Sequence, residues 1–171
     1  MSAAPGEQRR AAVRLRVDGS GKASVSTGLP VLDHLVGLLA ERAAFDLVID
    51  VAPDAGVDGA LEAARAFGTE LGRALEAGAL ASALAPTDEA LAQVAVEVSG
   101  RPLVVSNVDL SDAHVAGLAT DVVSRFVRAL AEGAGLTLHV RLVEGRETEH
   151  VLESIFKALG VALGKLAAAG R

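Results

Sequence analysis

Histidine and carboxylate side chains are the groups in this sequence that could bind a metal ion. The chain contains four histidines, 22 acidic residues and no cysteine, so a metal site must be built from imidazole and carboxylate groups. His150 and Glu153 stand three residues apart, a spacing that places both side chains on one face of a helix. The pair therefore predicts a helix face from which both side chains can reach one ion.

Other chemistries have no support in the sequence. No Gly-x-Ser-x-Gly segment is present, and no nucleotide-binding glycine pattern stands at a helix start. The net charge of −6 opposes binding to a phosphate backbone, and four Phe without Trp or Tyr leave few rings for base stacking. We expect no nucleic-acid partner.

The apolar pattern indicates a cytoplasmic protein. No apolar run reaches the about 18 residues of a membrane span, so we expect no membrane partner. Residues 1–10 include no apolar stretch of the kind found in signal peptides. The absence of cysteine fits a reducing compartment. With 51% hydrophobic residues, the 171-residue chain can fill the core of one domain or of two small halves.

The first half predicts two strands, a helix, a strand and a helix. Apolar residues alternate over 13–17, and Asp18-Gly19-Ser20-Gly21 predicts a turn into a second strand over 23–27, which would complete a hairpin. Helical spacing follows from Pro30 to about Ala44. A strand over Phe45 to Val51, a loop at Gly56 and Gly59, and a helix over Leu61 to Ala77 complete this half.

The second half repeats this order. It predicts strands near Leu91–Ser99 and Leu103–Val108, a helix over Thr120–Ala131, a strand over Leu136–Val143 and a helix over Thr148–Ala168. Four apolar positions of the first half recur 91 residues later: Leu32, Leu35, Leu39 and Phe45 match Val123, Phe126, Leu130 and Leu136. The constant offset predicts a duplicated ββαβα unit, with copies over 1–86 and 87–171.

Two such units predict an α+β fold in one compact domain. Each unit would present a sheet with helices on one face. The apolar helix faces of both units would then pack together between the two sheets.

Several segments, taken together, resemble a known family. They are Ser26-Thr27-Gly28, Leu32-Asp33-His34-Leu35, Phe45-Asp46-Leu47, Asp88-Glu89-Ala90-Leu91-Ala92, Ser99-Gly100-Arg101-Pro102, Gly135-Leu136-Thr137-Leu138-His139 and Phe156-Lys157-Ala158-Leu159. In order and spacing, from about residue 12 to 168, they resemble the imidazoleglycerol-phosphate dehydratase family.

The resemblance implies an assembly and a reaction. Members of this family form trimers that build a hollow 24-subunit shell, and their active sites at subunit interfaces hold two manganese ions. They dehydrate imidazole glycerol phosphate in histidine biosynthesis, and the metals stabilise the negative charge of an imidazolate-like intermediate.

The ligands that the resemblance implies are only partly present. In the family, each half contributes a His-His-x-x-Glu segment and, usually, one histidine on the preceding helix. The second segment falls on Glu149–Glu153, where His150 and Glu153 match. The first falls on Leu61–Arg65, where no ligand is kept. His34 matches one helical histidine, and its counterpart 91 residues later is Arg125.

This ligand set predicts a degenerate metal site. A metal ion finds no lone pair on Leu61, whose side chain is a hydrocarbon. It finds none on Arg65 or Arg125 either, since a guanidinium does not deprotonate in proteins. The donors that remain are His34, His150 and Glu153, with Glu62 and Glu149 as further sources of oxygen. We therefore expect no metal cofactor or, as the alternative, one weakly bound manganese ion.

Ion pairs are one interpretation of the replaced ligands. Arg65 and Arg125 put fixed positive charge where the family holds cations. Glu62, Glu149 and Glu153 could pair with them and hold the subunit interface without metal. The alternative is that all these residues lie on solvated helix faces.

Contacts to a phosphate group are also incomplete. Arg101 matches a phosphate-binding arginine of the family, and Lys157 resembles a lysine of the same site. The second phosphate arginine falls near Ala79. The alternatives are a turn residue for Arg101 and a surface charge on a helix for Lys157.

Three functions remain open. The chain is a catalytically impaired or inactive dehydratase-like protein of histidine biosynthesis, serving as a shell component or as the partner of an intact paralogue. Alternatively, it is an active dehydratase, a hydro-lyase, with a rearranged or shared metal site. In the third interpretation it binds a small anion or imidazole ligand through Arg65, Arg101 and Arg125. The missing ligands favour the first, because a fold alone does not supply chemistry.

Overall fold

The computed structural model describes residues 9–109 and 113–171. Residues 1–8 lie outside the described residues, and the expectation that the N-terminus has no signal peptide falls mostly on them. None of the described helices is long and apolar enough to cross a membrane.

Each half of the chain contributes one sheet and two helices. The first half contains β1 (Ala11–Arg16), β2 (Ala23–Ser26), α1 (Pro30–Ala43), β3 (Asp46–Val51) and α2 (Gly56–Gly72). The second half contains β4 (Leu80–Thr87), β5 (Ala90–Glu97), β6 (Leu103–Ser106), β7 (His114–Val115), β8 (Leu118–Ala119), α3 (Thr120–Ala134), β9 (Thr137–Glu144) and α4 (Thr148–Ala169).

The two main sheets share one topology. In the first, β3 lies between β1 and β2, antiparallel to β1 and parallel to β2. In the second, β9 lies between β5 and β6 in the same way, and β4 is added on the outer side of β5. The duplicated ββαβα unit is therefore confirmed.

The predicted opening hairpin is wrong. β1 and β2 do not pair with each other, because the chain passes from β2 through α1 into β3 and thereby inserts β3 between them. The Asp46 carboxylate at the start of β3 accepts hydrogen bonds from the backbone N–H groups of Ser20 and Lys22, at 3.0 and 3.1 Å. These bonds hold the connection between β1 and β2 against the central strand.

Two further elements differ from the sequence interpretation. The Gly56 and Gly59 segment is the first turn of α2, not a loop, and a Cβ atom at Gly59 would overlap Ala55 and come within 2.7 Å of Val51. Strand β4 was not predicted, although it pairs with β5 along its whole length. β4 belongs to the second sheet, although most of it lies before residue 87, where the second copy was predicted to begin. The boundary between 1–86 and 87–171 remains a prediction.

The four long helices form a layer between the sheets, as predicted. α1 packs against α4 and α2 against α3, while the inner faces of both sheets close over this layer. All four phenylalanines are buried in it: Phe45, Phe67, Phe126 and Phe156. Aromatic and aliphatic side chains from both halves are therefore buried in one shared core.

Glycines allow the helices to cross at backbone contact distance. A Cβ atom at Gly68 of α2 would overlap the carbonyl oxygen of Leu130 on α3. At the other crossing, a Cβ atom at Gly160 of α4 would overlap the carbonyl oxygen of Leu39 on α1. Leu39 and Leu130 are repeat mates, so both crossings use the same point of the duplicated unit.

Replacement of Gly68 by alanine should destabilise the fold. We expect Gly68→Ala to lower the free energy of unfolding by about 1–3 kcal/mol, because the added methyl group meets backbone atoms that cannot rotate away. Gly37→Ala is the matched control: Gly37 is also helical, and nothing lies within 4 Å of its Cβ position. That variant should be stabilising by about 0.5–1 kcal/mol. Equal effects of both variants in urea unfolding would contradict the close crossing.

Candidate functional site

Some of the predicted site residues lie at two equivalent helix crossings. His34 on α1 meets Glu149 and Glu153 on α4, and we call this place the histidine crossing. The residues that correspond to them in the repeat lie on α2 and α3, which pack together in the same way. We call that place the arginine crossing, after Arg65 and Arg125.

The histidine crossing keeps an accessible imidazole beside a carboxylate. The Nε2 atom of His34 lies 3.8 Å from Oε1 of Glu153, which is too long for a hydrogen bond. The His34 side chain is 56% exposed and that of Glu153 19%. Next to them is an open cavity of about 210 Å³, whose lining includes His34, Leu35, Glu149, Leu152 and Glu153. Both groups can therefore contact a ligand.

His150 faces away from this pair. Its Nδ1 atom lies 2.6 Å from Oε2 of Glu89, and its Nε2 atom 3.1 Å from Oδ2 of Asp88. The other oxygen of Glu89 accepts a hydrogen bond of 3.0 Å from the backbone N–H of Glu147, which precedes α4. The turn between β4 and β5 is thus fastened to the start of α4.

Asp88 and Glu89 are site residues to which the sequence analysis gave no role. They belong to one of the segments that resemble the dehydratase family, and this was the available signal. Asp88 adopts the left-handed backbone conformation, with φ 51, which makes the tight turn that brings both carboxylates to His150.

The contacts around His150 shift two pKa values in opposite directions. The hydrogen bond from the backbone of Glu147 is the main cause that lowers the pKa of Glu89 to about 2, and His150 adds to it. The hydrogen bond to Glu89 raises the pKa of His150 above 6.5, with further support from the charge of Asp88. Both shifts favour a charged pair, in which the imidazolium offers no lone pair to a metal.

At the arginine crossing, other side chains replace the donor groups. By repeat equivalence, Arg125 corresponds to His34. Gly68 and Gly160, which face the repeat mates Leu130 and Leu39, relate α2 to α4 by 92 residues, so Leu61 corresponds to Glu153. Arg65, which the sequence match placed at that position, lies about one turn further along α2. Arg65 donates a 2.9 Å hydrogen bond to Glu132 on α3. This bond occupies the Glu132 carboxylate, and the exposed Arg125 adds a further positive charge to the same helix.

The glutamates that were expected to pair with these arginines lie elsewhere within one chain. Glu62 forms its ion pair with Arg10, at 3.6 Å. Glu149 and Glu153 lie at the histidine crossing. Ion pairs between them and the arginines would therefore have to join different subunits.

The expected phosphate contacts are separated in the chain. Arg101 is exposed in the turn between β5 and β6, where its backbone N–H donates to Oγ of Ser99. The Nζ atom of Lys157 donates a 3.3 Å hydrogen bond to the carbonyl oxygen of Pro86 on β4, at the other edge of the sheet. A phosphate group cannot bridge Arg101 and Lys157 of the same chain.

The donor set does not fit a dinuclear metal site within one chain. Over residues 9–109 and 113–171, no three His, Asp or Glu side chains form a group suited to a metal ion. His34 and Glu153 lie near each other without a hydrogen bond, His150 is held by two carboxylates, and at the arginine crossing the Glu132 carboxylate is paired with Arg65.

The fold defines a class of protein: a duplicated α+β sandwich with two equivalent helix crossings between its sheets. Comparisons with known proteins identify the family. A family model described as imidazoleglycerol-phosphate dehydratase matches residues 27–163. The enzyme of that name from Desulforudis audaxviator is 39% identical over 162 residues, which cover 91% of this chain and 83% of the relative.

Further comparisons agree with this match. The enzyme of the same name from Symbiobacterium thermophilum is 40% identical over 160 residues, 90% of this chain and 77% of the relative. The crystal structure of imidazoleglycerol-phosphate dehydratase from Staphylococcus aureus has a TM-score of 0.84 at 28% identity, and the match covers 94% of this chain and 95% of that one. The chain belongs to the imidazoleglycerol-phosphate dehydratase family.

Removal of the Glu89 carboxylate should lower the pKa of His150. In Glu89→Gln, the neutral amide cannot stabilise the imidazolium, so we expect the His150 pKa to move back toward its ordinary value of 6.5. NMR titration of the His150 ring measures this. Asp18→Asn is the control, because Asp18 pairs with Arg16 and does not contact His150. An unchanged His150 pKa in Glu89→Gln would show that Glu89 is not the cause of the raised pKa.

The same variant should lose stability in a defined pH window. Glu89, whose pKa is lowered, stabilises the fold above its ordinary pKa of 4.5, and this contribution is lost as the pH falls toward about 2. His150, whose pKa is raised, contributes below 6.5, and this is lost as the pH rises through its raised value. The stability difference between wild type and Glu89→Gln should therefore be largest between pH 4.5 and 6.5. A difference independent of pH would contradict this.

Proposed function

We propose that this chain is a dehydratase-family subunit of histidine biosynthesis that does not carry out the dehydration by itself. The arginine crossing is the observation that supports this proposal. Arg125 and Leu61 stand at the repeat positions of His34 and Glu153, so one of the two metal sites that the family resemblance implies has lost these donors.

The remaining pair at the histidine crossing is too little for the reaction. Removal of a proton from an unactivated carbon needs a group that stabilises the resulting negative charge. His34 and Glu153 can bind, orient and exchange protons, but neither stabilises a developing imidazolate as a Lewis acid on the ring nitrogen would.

The proposed role is therefore that of a component in an assembly. The chain would form the trimers and the shell that the family resemblance implies, alone or with an intact paralogue, in the cytoplasm. In a mixed shell, His34 and Glu153 remain exposed enough to complete a site with groups from a neighbouring active subunit.

An active dehydratase with a shared metal site is the second candidate. The identity of 35–40% to proteins named imidazoleglycerol-phosphate dehydratase supports it, as do the matching residues His34, His150 and Glu153. The small-ligand interpretation has less support. None of Arg65, Arg101 and Arg125 lines the cavity beside His34 in the described part of one chain.

Manganese content and turnover separate the first two candidates. For the purified chain with added manganese, we expect no occupancy of a paired site and no dehydration of imidazole glycerol phosphate above background. Restoring donors with Leu61→Glu and Arg125→His, at the repeat positions of Glu153 and His34, should raise manganese uptake. Leu61→Gln with Arg125→Gln is the matched control, since it changes the same positions and adds no comparable ligand. Full metal occupancy with turnover by the wild-type chain would overturn the proposal.

The arginines themselves are tested by their effect on assembly. If Arg125 forms ion pairs with carboxylates of a neighbouring subunit, Arg125→Ala leaves them unpaired and lowers both the melting temperature and the oligomer mass. Arg128→Ala is the control, because Arg128 is also exposed and lies about one turn further along α3. Identical behaviour of both variants in thermal unfolding and light scattering would exclude the inter-subunit ion pairs.

A further inference from the structure

A cavity of about 260 Å³ lies between β6 and α3 in the second half of the chain, and we call it the α3 cavity. Its interior is apolar and consists of buried residues of α3, β9 and α4: Val123, Val127, Val140, Leu152, Ile155 and Phe156. Its polar residues are less buried, namely Ser106 on β6 with Ser124 and Arg128 on α3. The cavity thus combines an apolar interior with a polar rim, which is the usual composition of a small-molecule site.

The first repeat shows how the corresponding place is closed there. Leu47 and Leu138 are repeat mates on the central strands, and the pairing of β2 and β6 with these strands makes Thr27 the counterpart of Val108. In the first repeat, Asp33 on α1 accepts a hydrogen bond of 2.9 Å from the backbone N–H of Thr27 and a second one from its hydroxyl group. These bonds hold the end of β2 against the start of α1.

The second repeat cannot form these bonds. Val108 has no hydroxyl group, and the counterpart of Asp33 is Ser124, which has no carboxylate. Val108 follows Thr27 by 81 residues and Ser124 follows Asp33 by 91, so the connection from β6 to α3 is ten residues longer. Val108 and Ser124 therefore line a cavity instead of closing it.

Arg128 gives the rim a positive charge without a partner. It is the only charged residue in the described lining, and it forms no ion pair with another described residue. Glu132, one turn further along α3, is already paired with Arg65. Ser124 lies one turn before Arg128 on the same helix face, so its hydroxyl group and the guanidinium can contact one ligand group.

We propose that the α3 cavity is a binding site for a small organic carboxylate. The apolar part of the ligand would lie among the buried side chains, and its carboxylate would bind Arg128 and Ser124. A guanidinium binds a carboxylate through two parallel hydrogen bonds, and one negative charge matches the single positive charge of this rim. A phosphate monoester, with a charge of up to about −2, would bring more charge than the rim balances.

The volume of the cavity limits the size of the ligand. An apolar cavity of about 150 Å³ is enough to hold benzene, so the α3 cavity has room for an aryl or branched alkyl group with a short chain.

Two matched compounds test the site. 3-Phenylpropanoate carries a carboxylate, and 3-phenylpropan-1-ol carries a neutral hydroxyl group on the same carbon skeleton. In methyl NMR of the full chain, we expect saturable shifts of Val123, Val127 and Val140, with the carboxylate bound at least about tenfold more tightly than the alcohol. The methyl groups of Leu152 are not diagnostic, because this residue also lines the cavity beside His34.

Substitutions separate the charged contact from the apolar one. Arg128→Gln should lower the affinity for 3-phenylpropanoate by at least about tenfold and leave that for the alcohol unchanged. Ser124→Leu adds an apolar side chain at the cavity wall and should weaken the binding of both compounds. Arg14→Gln is the control, because Arg14 is also exposed but lies on β1 of the first sheet. Circular dichroism checks that each variant is folded.

Three results would overturn the proposal: no saturable shift of the three valines with 3-phenylpropanoate, equal affinity for both compounds, or wild-type affinity in Arg128→Gln. The experiment measures binding and needs no turnover, so its failure would leave the proposed function unaffected.

Discussion

The close approach of helix backbones at the two internal crossings is the constraint on which the rest of the structure depends. At Gly68 and at Gly160 there is no room for a side chain, because the carbonyl oxygen of the facing helix occupies its place. Contact at this distance fixes both the spacing and the rotation of each helix pair. His34 and Glu153 therefore face each other across one crossing, and Arg125 and Leu61 occupy the equivalent positions of the other.

Duplication let one scaffold carry two different sets of side chains. The helices, the central strands and the crossings are alike in both halves, so the chemistry of each crossing depends on the few residues near the helix starts. At the second crossing a guanidinium, Arg125, replaces the imidazole, and an apolar side chain, Leu61, replaces the carboxylate, while the helices pack in the same way. Arg65, one turn further along α2, pairs with Glu132 on the neighbouring helix.

The sequence predicted the helices and the duplication well, because apolar periodicity is a local property and the offset of 91 residues is constant. It failed where pairing is non-local: β2 pairs in parallel with β3 through α1, so the opening segment resembled a hairpin. Strand β4 was not predicted, because its alanines and its proline have low strand propensity. Helical spacing correctly placed His150 and Glu153 on one helix. It could not show that His150 contacts the carboxylates of Asp88 and Glu89, because these lie on a turn about 60 residues earlier in the sequence.

Lys157 and Lys165 donate hydrogen bonds to the carbonyl oxygens of Pro86 and Ser82 on the edge strand β4. These two bonds restrict where residues can be inserted or deleted in the chain. Lys157 and Lys165 are eight residues apart on α4, which spans about 12 Å. Their acceptors at Pro86 and Ser82 are four residues apart on β4, which spans about 13 Å. The spacing of the two amines along the helix therefore matches the spacing of the two carbonyl oxygens along the strand. A single-residue insertion or deletion between either pair would move one amine off its carbonyl, so evolutionary length variation should fall outside these two segments.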